Sequence, residues 1–151
     1  DLADKKREVF DDDLRMLIVR MLNEDFELYH LVEVDTFGRN PAKALIKLGK
    51  GGETFTDSAT GDGPVHAACV AIDRITGVSG RLETFEIRAT TPGKEALGEA
   101  YVTVDFSGQF FKGKGASTDI IEASVAAYLD AVNKYLAYRE SAENGIMLRG
   151  M

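Results

Sequence analysis

The chain has 151 residues, 44% of them hydrophobic and 28% charged, with a formal net charge of −7. That is enough apolar material for one ordinary domain and too much for a disordered chain. An acidic balance without a basic block argues against nucleic acid or an anionic membrane as partner, and a lone cysteine, Cys69, excludes an internal disulfide.

Residues 1–25 read as a charged linker followed by an amphipathic helix. Asp11, Asp12 and Asp13 suit a helix start electrostatically. Leu14, Leu17, Ile18, Met21 and Leu22 then recur on one helical face, which is expected to pack on a neighbouring domain or subunit. The apolar run "MLIVRML" contains Arg20 and is far too short to span a bilayer, and no secretory signal is visible. A cytoplasmic location is expected. The start "DLADKKREVF" lacks an initiator Met, as a piece of a longer polypeptide would.

A βββα unit is expected over residues 26–77. "FELYHLVEVDTF" alternates, with Leu28, His30, Val32 and Val34 on one side and Tyr29, Leu31 and Glu33 on the other. "KALIKL" and "ETFTDSAT" follow, separated by the turn segments "GRNPAK" and "KGGE". The helix comes next, with Val65, Ala68, Cys69, Ile72 and Ile75 on one face and Gly77 as its stop. Cys69, between apolar neighbours, reads as a small core residue.

Residues 81–140 repeat the order. "GRLETFEIRATT", "GEAYVTVDF" and "QFFKGKG" are strands, and "SG" is a hairpin turn. "STDIIEASVAAYLDAVNKYLAYRE" is a long helix, with Asp119 and Glu122 at capping-box spacing. Its buried stripe is Ile121, Val125, Tyr128, Leu129, Val132 and Leu136. Residues 141–151 form a tail. The fold class is therefore α+β: two βββα units in pseudo-repeat, preceded by a short linker helix.

Each repeat enters its helix through glycines, Gly61, Gly63 and Pro64 in one and Gly113 and Gly115 in the other. Neither is a phosphate loop. A Walker loop needs Gly-Lys-Ser/Thr at the helix start, and "GDGPVH" lacks the third glycine of a dinucleotide fingerprint. Gly63 reads as N-cap and Pro64 as the first helical residue. The free N–H groups at such helix starts can instead receive a small carboxylate. His30 and His66, the only histidines, stand apart, so no metal set is expected. No G-x-S-x-G elbow occurs, and no catalytic constellation emerges.

The stretches "ATGDGPVHAACVAIDRITG", "LETFEIRATTPGKEALGEAYVTVDFSGQFFKGKGASTDIIEASVAAYLDAVNKYL" and "DKKREVFDDDL" together resemble the C-terminal regulatory region of 2-isopropylmalate synthase and of its relative citramalate synthase. The resemblance covers about residues 1–140. It implies a homodimeric allosteric domain that binds the end-product amino acid at the dimer interface: leucine in the first family, isoleucine in the second. The catalytic barrel of such enzymes holds a divalent metal and joins acetyl-CoA to a 2-oxo acid. None of that barrel is expected in this chain, which should carry no cofactor of its own. A dimerisation module without ligand response is the alternative. Carried over by position, the inhibitor pocket comprises Val65 and His66 at the first helix start and Leu82, Phe85 and Ala89 on the following strand. Ala96, in "ALGE", and Thr118, Asp119 and Ile120, at the second helix start, complete it. Phe85 stands where Tyr is common, and His66 where a small residue or Asp is usual. In that pocket a helix start would meet the carboxylate, Asp119 or strand carbonyls the ammonium, and Val65, Leu82, Phe85 and Ile120 the side chain.

Overall fold

The computed structural model describes residues 11–22, 27–89 and 97–143. The linker at residues 1–9, Ala96 and most of the tail lie outside them, as do the side chains of Asp11, Asp12, Asp13, Met21 and Leu22. The elements are α1 (Asp11–Leu22), β1 (His30–Phe37), β2 (Ala42–Lys50), β3 (Glu53–Gly61), α2 (Pro64–Thr76), β4 (Arg81–Ala89), β5 (Gly98–Phe106), β6 (Gln109–Ser117) and α3 (Ile120–Glu143). They form two three-stranded antiparallel sheets, β1-β2-β3 and β4-β5-β6, each followed by a helix. This is the expected pair of βββα units.

Turn chemistry closes the hairpins. Gly51 and Gly52, both with positive φ, join β2 to β3, and Ser107 and Gly108, also both positive, join β5 to β6. Two consecutive left-handed residues match the twist of a tight hairpin. Gly63 is the extended N-cap of α2, Pro64 its first residue, and Gly77 its left-handed C-cap. At α3, Asp119 Oδ1 accepts the N–H groups of Ile121 (2.8 Å) and Glu122 (3.3 Å). The other half of the capping box runs through Ser117. Its hydroxyl accepts the Asp119 N–H at 3.1 Å and donates to Glu122 at 3.2 Å.

One apolar cluster spans both units. α2 lies on β2 and β3, α3 lies on β5 and β6, and the two helices touch. α1 packs on α3 of the same chain through buried Leu14 and Leu17. α3 runs to Glu143, three residues into the stretch expected as tail, and its Ser141 is buried, donating to the Tyr138 carbonyl at 2.7 Å.

Two expectations give way to geometry. Gly113 and Gly115 lie inside β6, not in a turn at the helix start. Their role is close approach. A Cβ on Gly113 would collide with the carbonyl oxygen of Ala127, and one on Gly115 with that of Ala123. The helix is pressed onto the strand at backbone distance, as missing side chains permit. The alternation read along β1 also fails. The pairing register shifts between Leu31 and Glu33, and the corresponding shift in β4 falls between Leu82 and Thr84. One extra residue reverses the inside–outside phase, so Val32 is exposed while Leu31 and Val34 both pack on the core.

The edge strands β3 and β6 are covered by their helices. Arg74 of α2 donates to the Ser58 carbonyl at 2.8 Å, Asp130 of α3 accepts the Lys114 N–H at 3.0 Å, and Lys134 donates to the Lys112 carbonyl at 2.8 Å. Side chains on the ladder groups of an edge block further strand pairing there.

The close approach makes a direct prediction. Gly113→Ala should lower stability by about 1–3 kcal/mol, because α3 must lift from β6 to admit the methyl group. A urea midpoint equal to that of the wild type would refute this account.

Candidate functional site

Strand β4 is the anomaly. All nine of its residues are exposed, although all but the bulged Glu83 are paired with β5. Residues directly opposite one another across two strands share a face. Leu82 faces Val104, Phe85 faces Val102 and Ile87 faces Ala100. Val104, Val102 and Ala100 are buried beneath α3, at 0%, 4% and 0% exposure. Leu82, Phe85 and Ile87, on the same face one strand further out, are 36%, 46% and 37% exposed. The helix layer stops short, and an apolar shelf projects past it.

The other face of β4 is polar. Arg81 pairs with Glu83 at 2.6 Å and with Asp105 at 3.4 Å, and Arg88 pairs with Glu86 at 2.9 Å. Arg88 and Lys114 flank the Tyr101 ring at 4.7 and 5.7 Å. The Tyr101 hydroxyl, donating at 2.9 Å, and then Lys114 hold the Glu99 carboxyl below its ordinary range. This face is suited to water. The shelf is the face that lacks a cover.

Ile120, 56% exposed at the start of α3, stands at the end of the shelf. Its side chain lies beside Gly98, which pairs with Ala89. Of the expected contacts, Leu82, Phe85 and Ala89 thus line up along one face of β4, with Ile120 beside the Ala89 end and Leu82 at the opposite end. Thr118 and Asp119 are exposed immediately before them. Ile87, on the same face, was missed by the carried-over positions. Its signal lay in the strand alternation between Phe85 and Ala89.

Val65 and His66 belong to the other unit, in the first turn of α2. The two helix starts differ. Asp119 occupies the start of α3 with its own carboxylate, whereas no side chain caps α2. That leaves the first N–H groups of α2, those of Val65 and His66, to solvent or a ligand. His66 has a local task as well, since its Nδ1 accepts the Asp62 N–H at 2.9 Å. The imidazole therefore offers Nε2–H as its donor when neutral.

Cavities of about 560, 370 and 150 Å³ lie elsewhere: one between α1, β6 and α3, and two around Tyr29, Lys50 and the end of α3. None is lined by a residue expected to contact the amino acid. Among the described residues no group of three or more His, Cys, Asp or Glu could hold a metal ion, and no helix is long and apolar enough to cross a membrane.

One polar cluster has no counterpart among the expected residues. Asp73, near the end of α2, accepts the Tyr128 hydroxyl at 2.8 Å and the Gly80 N–H at 3.1 Å. Burial pushes its carboxyl up from 3.8 to about 6, against the two hydrogen bonds, which lower it. Burial also raises the Tyr128 hydroxyl and the Cys69 thiol, and the nearby Asp73 charge adds to both. The buried thiol is a core residue, as its apolar neighbours implied.

A duplicated βββα domain with one apolar sheet face left bare defines a recognisable class. The chain matches the LeuA allosteric (dimerisation) domain over residues 8–136, and it belongs to that family. It is 45% identical over 139 residues to the 2-isopropylmalate synthase of Methylacidiphilum infernorum, covering 89% of this chain and 27% of that protein. The same enzyme from Ruminiclostridium cellulolyticum is 43% identical over 142 residues, with 91% and 27% covered. That from Carboxydothermus hydrogenoformans is 44% identical over 138 residues, with 89% and 27% covered. The chain thus spans little more than a quarter of the length of these relatives.

Asp73 gives the stability of the fold a pH dependence that can be measured. Its folded value lies above the ordinary one, so the folded state binds the proton more tightly. Its contribution to stability is complete below about pH 4 and is lost as pH rises through about 6. Urea denaturation between pH 4 and 8 should show a smaller loss of stability with pH in Asp73→Asn than in the wild type. Identical slopes would show that the carboxyl titrates alike in both states.

Proposed function

We propose that this chain is the feedback-regulatory domain of a 2-isopropylmalate synthase, and that two copies pair and hold leucine at their interface. The observation that carries this reading is the uncovered shelf of β4. Three large apolar side chains along one face of a paired strand are poorly placed in water. A partner protomer would cover them, and the protomer alone presents an open half of a pocket.

The chemistry of a free branched-chain amino acid fits the surroundings of the shelf. Leu82, Phe85, Ile87 and Ile120 offer an apolar slot for the side chain. The uncapped start of α2 lies in the other unit, so its N–H donors and partial positive charge would meet the carboxylate where the partner protomer supplies them. The carboxylate of Asp119 sits at the end of the shelf where an ammonium can be paired. The Phe85 ring, without a hydroxyl, keeps the slot free of a polar group that would need a partner.

Regulation would work by differential binding. A ligand shifts a conformational equilibrium only by the difference in its affinity for the two states, with couplings of typically about 1–3 kcal/mol. The acyl transfer itself, from acetyl-CoA to a 2-oxo acid with a divalent metal, would belong to the catalytic barrel of the parent enzyme. A cytoplasmic location accords with that biosynthetic role.

Sedimentation and calorimetry with leucine, isoleucine and valine test the proposal. The expected outcome is a dimer with a response to leucine. A preference for isoleucine would reassign the parent to a citramalate synthase, and a dimer silent to all three amino acids would leave only a pairing module. Leu82→Arg places a charge in the slot and should weaken leucine binding at least about tenfold. Undiminished affinity in that variant would show that the pocket lies elsewhere.

A further inference from the structure

β4 carries the shelf, but no helix packs firmly on it. It is held along its length by β5 and at its beginning by the link from α2, residues 77–80. That link is organised by one residue. The Asp73 carbonyl accepts the N–H groups of Gly77 (2.8 Å) and Val78 (3.2 Å). The Asp73 carboxylate accepts the Gly80 N–H with one oxygen and the Tyr128 hydroxyl with the other. One side chain thus joins the end of α2, the residue before β4, and the middle of α3.

Packing leaves the link no slack. A Cβ on Gly80 would collide with the Tyr128 hydroxyl and meet Phe106 and Val104 of β5 at 2.8 and 2.9 Å. Gly80 is therefore pinned by sterics on one side and by a hydrogen bond on the other. Leu82, the first apolar residue of the shelf, is two residues further on.

We propose that Asp73, Tyr128 and Gly80 form a positioning joint for β4, fixing the strand against α2 and α3 so that the shelf is presented in its binding geometry. The inference rests on the reading of the shelf as half of an effector pocket. Asp73 and Tyr128 would not touch the effector. They would act through the strand that does.

The surroundings of the carboxylate make the joint sensitive to protons. On α2 the titratable group facing Asp73 is Cys69, one turn earlier, and on α3 it is Tyr128. Arg74 turns away to the Ser58 carbonyl, and Arg81 of β4 is paired with Glu83 and Asp105. No cation among the described residues neutralises Asp73, which is why burial prevails and its carboxyl stands at about 6. Opening the joint would hydrate the carboxylate and return it towards its ordinary value of 3.8. The closed joint therefore binds the proton more tightly, and rising pH favours opening.

Hydrogen exchange of the 151-residue chain reads this directly, with β2 and β3 as internal references. In Tyr128→Phe, β4 amides should lose about tenfold in protection relative to β2, the scale of one hydrogen bond to a charged acceptor. Leucine affinity should fall in the same variant. In the wild type, β4 protection corrected for intrinsic chemistry should decline between pH 5 and 7.5, and Asp73→Asn should abolish that decline. The wild-type profile needs no substitution, so it tests the joint even where a variant fails to fold. If β4 protection is flat with pH in the wild type, or falls in Tyr128→Phe no more than that of β2, the joint is overturned. If β4 loosens as expected but the wild type binds none of the three branched-chain amino acids, the joint stands and the effector reading falls.

Discussion

The backbone-to-backbone contact between α3 and β6 governs the shape of the second unit and, through it, the exposed face of the molecule. Gly113 and Gly115 carry no side chains on the helix-facing side of the strand, so the backbone of α3 at Ala123 and Ala127 rests directly on it. Buried Ala131 and Ala137 continue the small-residue seat along the helix. A helix lowered this far meets β5 and β6 closely and has little width left for a third strand. Its second half stacks Tyr135 on Phe106, with ring centroids 4.5 Å apart. It also reaches the other unit, where Asn133 accepts the Tyr29 N–H and donates to the Tyr29 carbonyl, both at 2.9 Å. β4 is the strand this arrangement leaves bare.

The duplication uses the same parts twice with unequal results. Both units place a bulge early in their first strand, and both cover the edge of their third strand with helix side chains. The first strand of unit one receives cover from α2 and α3, while the first strand of unit two receives none comparable. The helix starts diverge too, one closed by Asp119 and the other uncapped at Gly63. The repeat thus leaves apolar side chains exposed on β4 and the start of α2 without a side-chain cap.

The element order, the helix stops and the hairpin turns were legible because each depends on local chemistry. Gly77 after an apolar periodic run and Asp119 before one are decided within a turn of helix. The bulges were not legible. An extra residue in a strand has no compositional mark, and the two sides of β1 cannot be told apart until its register against β2 is known. Gly113 and Gly115 were visible as glycines, but glycine serves turns and close approaches alike, and only the position of α3 distinguishes them. Asp73 is hidden for a related reason. A single acid in a helix is ordinarily solvated, and its burial here is produced by Tyr128, 55 residues away.

Of the family positions, Leu82, Phe85 and Ala89 lie along one face of β4, and Ile120 adjoins only the Ala89 end of that strand. The sequence by itself determined the two βββα units, their caps and turns, and the apolar character of β4, since all of these arise from spacing and residue type over a few positions. Which face of β4 stays uncovered was decided only in three dimensions. That depends on how deeply α3 sits on β6 and on the phase set by a bulge, and both are properties of contacts between distant segments.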